Sequence, residues 1–305
     1  MNAVLIIDKP AGLTSHDVVN RLRRILHERS VGHLGTLDPM ATGVLPLVVG
    51  NFTRLAQFYL ASEKVYEGTI RFGFSTDTYD AEGEASSVAQ AVTLDDSQVR
   101  GVAARFQGVI EQVPPAFSAK KIKGVPAYKL ARKHEDVALK PVQVEVKEFE
   151  ILLVTEDRVS FRARVGSGTY VRCIAHEMGQ ALGCGAHLES LRRAAVSEFH
   201  VAEAHTLEQV EAASRTHDLE MVFIHPRKLL PQMPSVSATE ENAAHIRSGR
   251  SVNLPELSRA KLVKVFYGQR ELIAIASRVA GTLFHPQIVL MGSVAMDRVP
   301  TNPDR

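Results

Sequence analysis

Cysteine is scarce in this chain, with two in 305 residues, Cys173 and Cys184. Two thiols at that spacing fit no metal signature and build no disulfide framework, so a reducing compartment is expected. Long apolar runs are missing too. The first, Val4-Leu5-Ile6-Ile7, stops at Asp8-Lys9-Pro10; it is too short for a signal or membrane helix and reads as a buried strand. Charge of one sign is also lacking: 36 basic side chains against 34 acidic ones leave +2. That balance demands no polyanionic partner, so the distribution of charge carries more than its sum. There is no P-loop, no His/Cys cluster and no Gly-x-Gly-x-x-Gly behind a strand, hence no nucleotide or metal signature. Neither an internal repeat nor a low-complexity tract is present. A soluble, cytoplasmic protein is expected.

The length predicts two domains, or one large domain with an appendage. After the first strand, Thr14 and Asp17 have capping-box spacing and open a helix. Val18, Val19, Leu22, Ile25 and Leu26 give it an apolar face, and Arg21, Arg23, Arg24 and His27 a basic one open to solvent or RNA. Leu55, Phe58 and Tyr59 suggest a short helix. Residues 64–73 read as a strand with Tyr66, Ile70 and Phe72 on one face, and 75–83 as a loop. A Thr93/Asp96 capping box predicts a helix ending near Gly108. Alternating strands follow over 144–165, with a bulge near Glu148 and Phe149. Gly166 to Arg172 reads as a tight turn and strand end, then a helix stops at Gly183. Residues 185–196 read as a loop-to-strand passage, and 206–230 as helical and connective. Pro231 and Pro234 mark the best boundary. Beyond it, Ser237 and Glu240 are expected to cap a helix ending at Gly249, with short strands near Val252, Leu262–Tyr267 and Leu272–Ala276.

Two stretches carry chemistry. Between Glu111 and Glu135 lie six basic residues and no acid, with Phe117 and Tyr128 interleaved. That pattern, which includes Lys120, Lys121, Lys123, Lys129, Arg132 and Lys133, favours a phosphate-backbone contact over a solvated loop. The other stretch is Gly32-His33-Leu34-Gly35-Thr36-Leu37-Asp38-Pro39-Met40-Ala41-Thr42-Gly43-Val44-Leu45-Pro46. A lone carboxylate in a Gly-rich loop before an apolar run suits a nucleophile or base. Asp before Pro equally suits the cap of a short helical turn, and both readings can hold together.

That stretch resembles the catalytic-aspartate motif of the TruB family of pseudouridine synthases. Lys9-Pro10-Ala11-Gly12-Leu13-Thr14-Ser15 resembles the family's first motif, whose role is to brace the catalytic loop. Five motifs in the family's order span roughly residues 3–230. The resemblance implies an α+β fold with a large, mainly antiparallel sheet and flanking helices. It implies a catalytic domain over 1–232 with a basic thumb-like insertion at about 117–140. Residues 233–292 resemble, more weakly, a PUA-type RNA-binding domain, and 293–305 are expected to be a disordered tail.

The implied reaction is isomerisation of uridine to pseudouridine at position 55 in the T-loop of tRNA. It breaks a C–N bond and makes a C–C bond without water or redox equivalents, so no cofactor and no metal are expected. Asp38 is then the catalytic carboxylate, as nucleophile or as base toward the sugar C2′. Arg172 is the cation that keeps it ionised. Tyr66 stacks on the flipped uracil and is a candidate for the late proton abstraction from C5, with Tyr170 the second matched aromatic. Leu191 matches the pocket wall, His33 fills space vacated in the T-loop, and Asp80 anchors its neighbours or the RNA. Partners are expected to be the tRNA T-arm alone, with no membrane, no obligatory protein partner and a monomeric state. Two alternatives stand: a guide-dependent synthase of the box H/ACA type, and a catalytically silent RNA-binding or RNA-folding protein.

Overall fold

A computed structural model describes residues 1–118, 120–122, 124–127, 130 and 139–290. Lys123, Tyr128, Lys129, Arg132, Lys133 and the expected tail at 293–305 lie outside these residues. Two sheets and five α-helices make up most of what is described.

In chain order the first strands are β1 (Ala3–Lys9), β2 (Val31–His33), β3 (Thr42–Val49), β4 (Lys64–Phe72) and β5 (Gly108–Gln112). Then come a two-residue pair, β6 (Lys121–Ile122) and β7 (Val125–Pro126), and the long strands β8 (Val142–Val154), β9 (Arg158–Val165) and β10 (Ala186–Val196), with a short β11 (Phe199–His200). Nine of them form one sheet in the order β1-β3-β10-β4-β9-β8-β5, with β2 beside β3 and β11 beside β10. Every pairing in it is antiparallel except β3 with β10, where Thr42 and Gly43 run parallel to Arg192 and Arg193. Gly43 sits there at φ 99°. A Cβ on it would run into the Arg193 carbonyl oxygen, so this close approach of strands needs glycine.

Helix α1 (Ser15–Leu26) opens with the expected capping box: Thr14 accepts from Asp17 N, and Asp17 accepts from Thr14 N. Val18, Val19, Leu22 and Leu26 are buried against the sheet. Its basic face is partly committed. Arg21 pairs with Glu208 at 3.0 Å, and Arg23 donates to the Val31 carbonyl at 3.2 Å. The expected short helix near Phe58 is a 3₁₀ helix, Gly50–Tyr59. Helix α2 (Asp96–Ala103) corrects the expected Thr93 cap: Asp95 is the N-cap, its side chain accepting from Gln98 N at 2.8 Å. Both residues have the right spacing, and local rules alone do not choose between them. The bulge near Glu148 is present as a register shift between Val146 and Glu148. Helix α3 (Val171–Ala181) begins earlier than expected, placing Arg172 in its first turn and not at a strand end. Helix α4 (Leu207–Arg215) lies in the connective region.

The second sheet is β12 (Ser235–Ala238), β14 (Leu262–Tyr267), β15 (Glu271–Ala280), β16 (Leu283–Val289) and β13 (Val252–Asn253), paired in that order. Helix α5 (Glu240–Arg247) is capped by Thr239, not Ser237. One buried cluster lies inside this sheet unit, around Val236, Ile246, Val263 and Phe284. Another joins it to the large sheet: Val4, Ile6, Val44 and Phe199 pack with Leu229, Phe266, Ile275 and Ile288. Lys264, fully buried, donates to the carbonyls of Leu229 at 2.6 Å and Arg227 at 3.0 Å.

The Gly32–Pro46 stretch leaves β2, turns at Asp38 and enters β3. Asp38 O accepts from Ala41 N at 3.1 Å, so Asp38-Pro39 opens a β-turn with proline second, not a helix. Arg193, buried on β10, holds this loop from below. Its guanidinium donates to the carbonyls of Gly35 at 2.9 Å, Thr36 at 3.2 Å and Val44 at 2.8 Å. Arg193→Met keeps much of the stem but strands three carbonyls away from a donor. It should cost about 3 kcal/mol or more, read as a lower urea midpoint at unchanged slope. A variant as stable as its parent would show that the loop does not need this clamp.

Candidate active site

The loop is fastened from the other side by Lys9, the last residue of β1. Its ammonium is fully buried and donates to the carbonyls of Pro10 at 2.9 Å, Leu13 at 2.6 Å and Pro39 at 3.0 Å. Burial pushes its pKa down to about 8, against the pull of nearby carboxylates. Ser15, at the start of α1, accepts from Leu37 N at 2.8 Å, and Gly12 N donates to Pro39 O. Asp38 therefore stands on a peptide pinned at both flanks.

Beside it lies a pocket of about 260 Å³, lined by Asp38, Tyr66, Tyr170, Arg172, Leu191 and Lys64 among others. Sheet register explains the grouping. Tyr66 is paired with Arg193 and Gly68 with Leu191 across β4 and β10. Paired residues share a face, and so do residues two apart on one strand, which puts Lys64, Tyr66, Leu191 and Arg193 on one side. Tyr170 and Arg172 arrive from the opposite wall, where β9 turns into α3. Gln112, buried on β5, fixes that turn: its amide accepts from Tyr170 N at 2.8 Å and donates to Tyr170 O at 3.1 Å.

Arg172 is buried and surrounded by oxygen. Its Nη2 donates to Asp38 Oδ1 at 3.2 Å and to the Phe117 carbonyl at 3.0 Å. Nε lies 2.9 Å from Asp38 Oδ2 in ionic contact, though its N–H is not aligned for a hydrogen bond. Nη1 donates to the Thr78 carbonyl at 3.0 Å and pairs with Asp80 Oδ2 at 3.4 Å. Asp80 is equally buried and takes Thr78 Oγ1 at 2.6 Å and Glu82 N at 3.1 Å. One guanidinium thus serves two carboxylates.

Asp38 keeps 36% of its side-chain surface open toward the pocket and is otherwise enclosed. Desolvation raises its pKa above the ordinary value; Arg172 opposes this and Asp80 reinforces it. Burial likewise raises the Tyr170 phenol. Lys64, half-buried in the pocket and bonded to Ser62 O at 2.6 Å, is pushed down to about 8 by desolvation and then by Arg193.

Of the expected site residues, five (Asp38, Tyr66, Tyr170, Arg172 and Leu191) line this pocket, and Asp80 stands behind Arg172. His33 is on β2, outside the lining, where burial lowers its pKa. Lys120 is half-buried and not in the lining, Lys121 is described only by its backbone in β6, and Lys123 is outside the described residues. Sequence reasoning missed Lys64, Gln112 and Arg193. Lys64 had a signal, a cation two positions before Tyr66 on one strand face. Among the described residues no three His, Cys, Asp or Glu side chains converge as metal ligands, and no helix is long and apolar enough to cross a membrane.

Residues 23–171 match the TruB family pseudouridylate synthase N-terminal domain, and residues 172–230 match the tRNA pseudouridylate synthase B C-terminal domain. A tRNA pseudouridine synthase B of Solibacter usitatus is 49% identical over 293 residues, covering 95% of this chain and all of the relative. The chain belongs to the TruB family. A second relative of the same name, from Aquifex aeolicus, is 38% identical over 93% of this chain and 98% of its own length. Among solved structures, a chain in the crystal structure of a Cbf5–Nop10–Gar1 complex is similar with TM-score 0.69 and 25% identity, over 95% of this chain and 85% of that one. In this TruB chain the two matched segments meet between Val171 and Arg172, inside the pocket, so Asp38 and its cation come from different segments.

The raised pKa of Asp38 has a stability consequence. A carboxyl that binds its proton more tightly folded than unfolded stabilises the fold below its ordinary value, 3.8. That contribution is lost as pH rises from there through the raised value. Asp38→Asn mimics the protonated form. Thermal midpoints of the two proteins should coincide at acid pH and separate in favour of the Asn variant as pH rises. Separation in the opposite sense would mean that pairing with Arg172 outweighs desolvation.

Proposed function

We propose that this chain converts uridine to pseudouridine at position 55 in the T-loop of tRNA, with Asp38 as the catalytic carboxylate. The observation that carries the reading is the ion pair between Asp38 and Arg172 in a pocket walled by Tyr66, Tyr170 and Leu191. A mere RNA binder has no need of a partly desolvated carboxylate braced on a single shared cation. A catalyst that must use it ionised beside a flipped base does.

The reaction breaks the C1′–N1 bond, turns the uracil in place and joins C1′ to C5. The hydrogen on C5 leaves, and N1 gains one, so no atom enters from outside and no electron is transferred. Asp38 serves as nucleophile at the sugar or as base toward C2′; either role needs the ionised form, which Arg172 supports. Flipping the target base costs on the order of a few kcal/mol. Stacking on Tyr66 and apolar contact with Leu191 offset it. The Tyr66 oxygen takes the C5 proton in the last step as its own hydroxyl proton passes on, so the phenol ends neutral and the proton lost by C5 balances the one gained by N1. No cofactor takes part.

The reading extends to the rest of the chain. Residues 1–232 form the catalytic domain and 233–292 an RNA-binding domain of PUA type. The basic segment at 117–140 grips the T-arm, so a single chain acts without a guide RNA or protein partner. Conversion of a free tRNA transcript by the purified protein is the expected result; a strict need for guide RNA would favour the box H/ACA type of synthase.

Asp38→Asn should retain tRNA binding and lose at least about 100-fold in tritium release from 5-tritiated uridine, the lower end of what a positioned acid or base contributes. Unchanged turnover would remove Asp38 from the chemistry. The basic segment has its own test. Each phosphate contact contributes about 0.7–0.9 to the log–log salt slope of binding, so a Lys120→Ala/Lys121→Ala/Lys123→Ala triple variant should flatten it by roughly two. Saturated turnover should hardly change. An unchanged slope with collapsed turnover would place the segment in the catalytic machinery.

A further inference from the structure

Two of the oxygens that hold Arg172 come from one tripeptide, Thr78-Tyr79-Asp80. The Thr78 carbonyl and the Asp80 carboxylate both meet the same nitrogen, Nη1. For a carbonyl and a side chain two residues on to converge like that, the chain must fold back between them. Tyr79 does so at φ 65°, in the left-handed region that glycine enters freely and a ring-bearing residue enters only when held there. What holds it is visible. Leu188 N donates to Tyr79 O at 2.9 Å. The Tyr79 ring lies on the His176 imidazole, with centroids 3.9 Å apart and planes 17° from parallel. His176 sits four residues after Arg172 on α3, hence on the same helix face. Desolvation lowers the His176 pKa, which favours the neutral ring. Neither ring lines the pocket.

We propose that the Tyr79–His176 stack is a positioning device for Arg172. It locks a strained tripeptide onto the helix that carries the guanidinium, and so fixes both of that tripeptide's oxygens and the distance from Arg172 to Asp38. Tyr79 and His176 are positioning residues; they touch neither substrate nor the reacting atoms. The inference rests on the reading of Asp38 as the reactive carboxylate.

Tyr79→Gly tests it cleanly, because glycine keeps the backbone conformation and removes only the ring. His176→Ala removes the partner, and His176→Phe restores a flat ring. Single-turnover rate at saturating enzyme should fall about tenfold or more in Tyr79→Gly and His176→Ala, as expected for a displaced catalytic group. The dissociation constant for tRNA should stay unchanged, and His176→Phe should recover most of the rate. The pH profile gives a signature that general loosening would not. Asp38 is faced by Arg172, Asp80, Glu82 and Lys9. A guanidinium that drifts compensates Asp38 less, so the acid limb should move to higher pH by about half a unit or more. The same shift should appear in an NMR titration of the Asp38 carboxyl, which does not depend on the reaction assigned above. If the wild type fails to convert tRNA while the titration shifts, the functional reading is wrong and the positioning role stands. An unmoved titration in both folded variants, or a His176→Phe variant as impaired as His176→Ala, overturns the proposal.

Discussion

Charge arithmetic around Arg172 sets the terms for the rest of the site. One cation stands between two carboxylates, Asp38 on the pocket side and Asp80 on the protein side. The trio carries a net negative charge in a place where water is mostly excluded. Arg172 offsets only part of the burial, so the Asp38 pKa stays above its ordinary value and ionising it comes at a cost to the fold. That cost requires the surrounding backbone to be held firmly, because a mobile loop would relax by letting the carboxylate swing out to water.

The holding is done by buried cations that have no acidic partner at ion-pair distance among the described residues. Lys9 and Arg193 each spend their hydrogen bonds on three backbone carbonyls, one from either side of the Asp38 loop. Lys264 bonds two carbonyls in the same way at the seam between the two sheets. Carbonyls are fixed dipoles that cannot titrate, so such a clamp binds equally well across the pH range in which carboxylates change charge. The carbonyls that hold the Asp38 loop thus keep their character whatever the charge on Asp38, while the Lys9 ammonium feels that charge and stays protonated below about 8.

Much of this was legible in the sequence. Asp38, Tyr66, Arg172 and Leu191 were singled out because the stretches around them resemble the family's motifs, and the fold brings all four to one pocket. The apolar face of α1 and the strand at 64–72 followed from periodicity. The brace formed by Lys9 and Ser15 was implied by the resemblance of Lys9–Ser15 to the family's first motif. Arg193 and Gln112 were not legible, since they bond to backbone atoms that every residue possesses and nothing in the partner's side chain announces the contact. Asp95 displaced Thr93 as a cap because two residues in a row of candidates met the same local rule. Strand β16 went unread because Pro286 interrupts its pattern; Pro286 sits where the register with β15 slips, a place where a strand tolerates proline. Left-handed Tyr79 was hidden for the opposite reason, since a tyrosine in a polar loop gives no hint of a conformation associated with glycine.

The parallel contact of β3 with β10 also orders events in time. Val44 and Arg193 are 149 positions apart. A ribosome adding about 5–20 residues each second needs on the order of 10–30 s to cover that distance. During that interval the segment bearing Asp38 has been made but its lower clamp has not, and Arg172 emerges only near the end of it. The carboxylate therefore acquires its cation and its lower clamp almost together, once more than half of the chain has been made. A nascent chain shorter than this carries the motif and its Lys9 brace, but neither Arg172 nor Arg193.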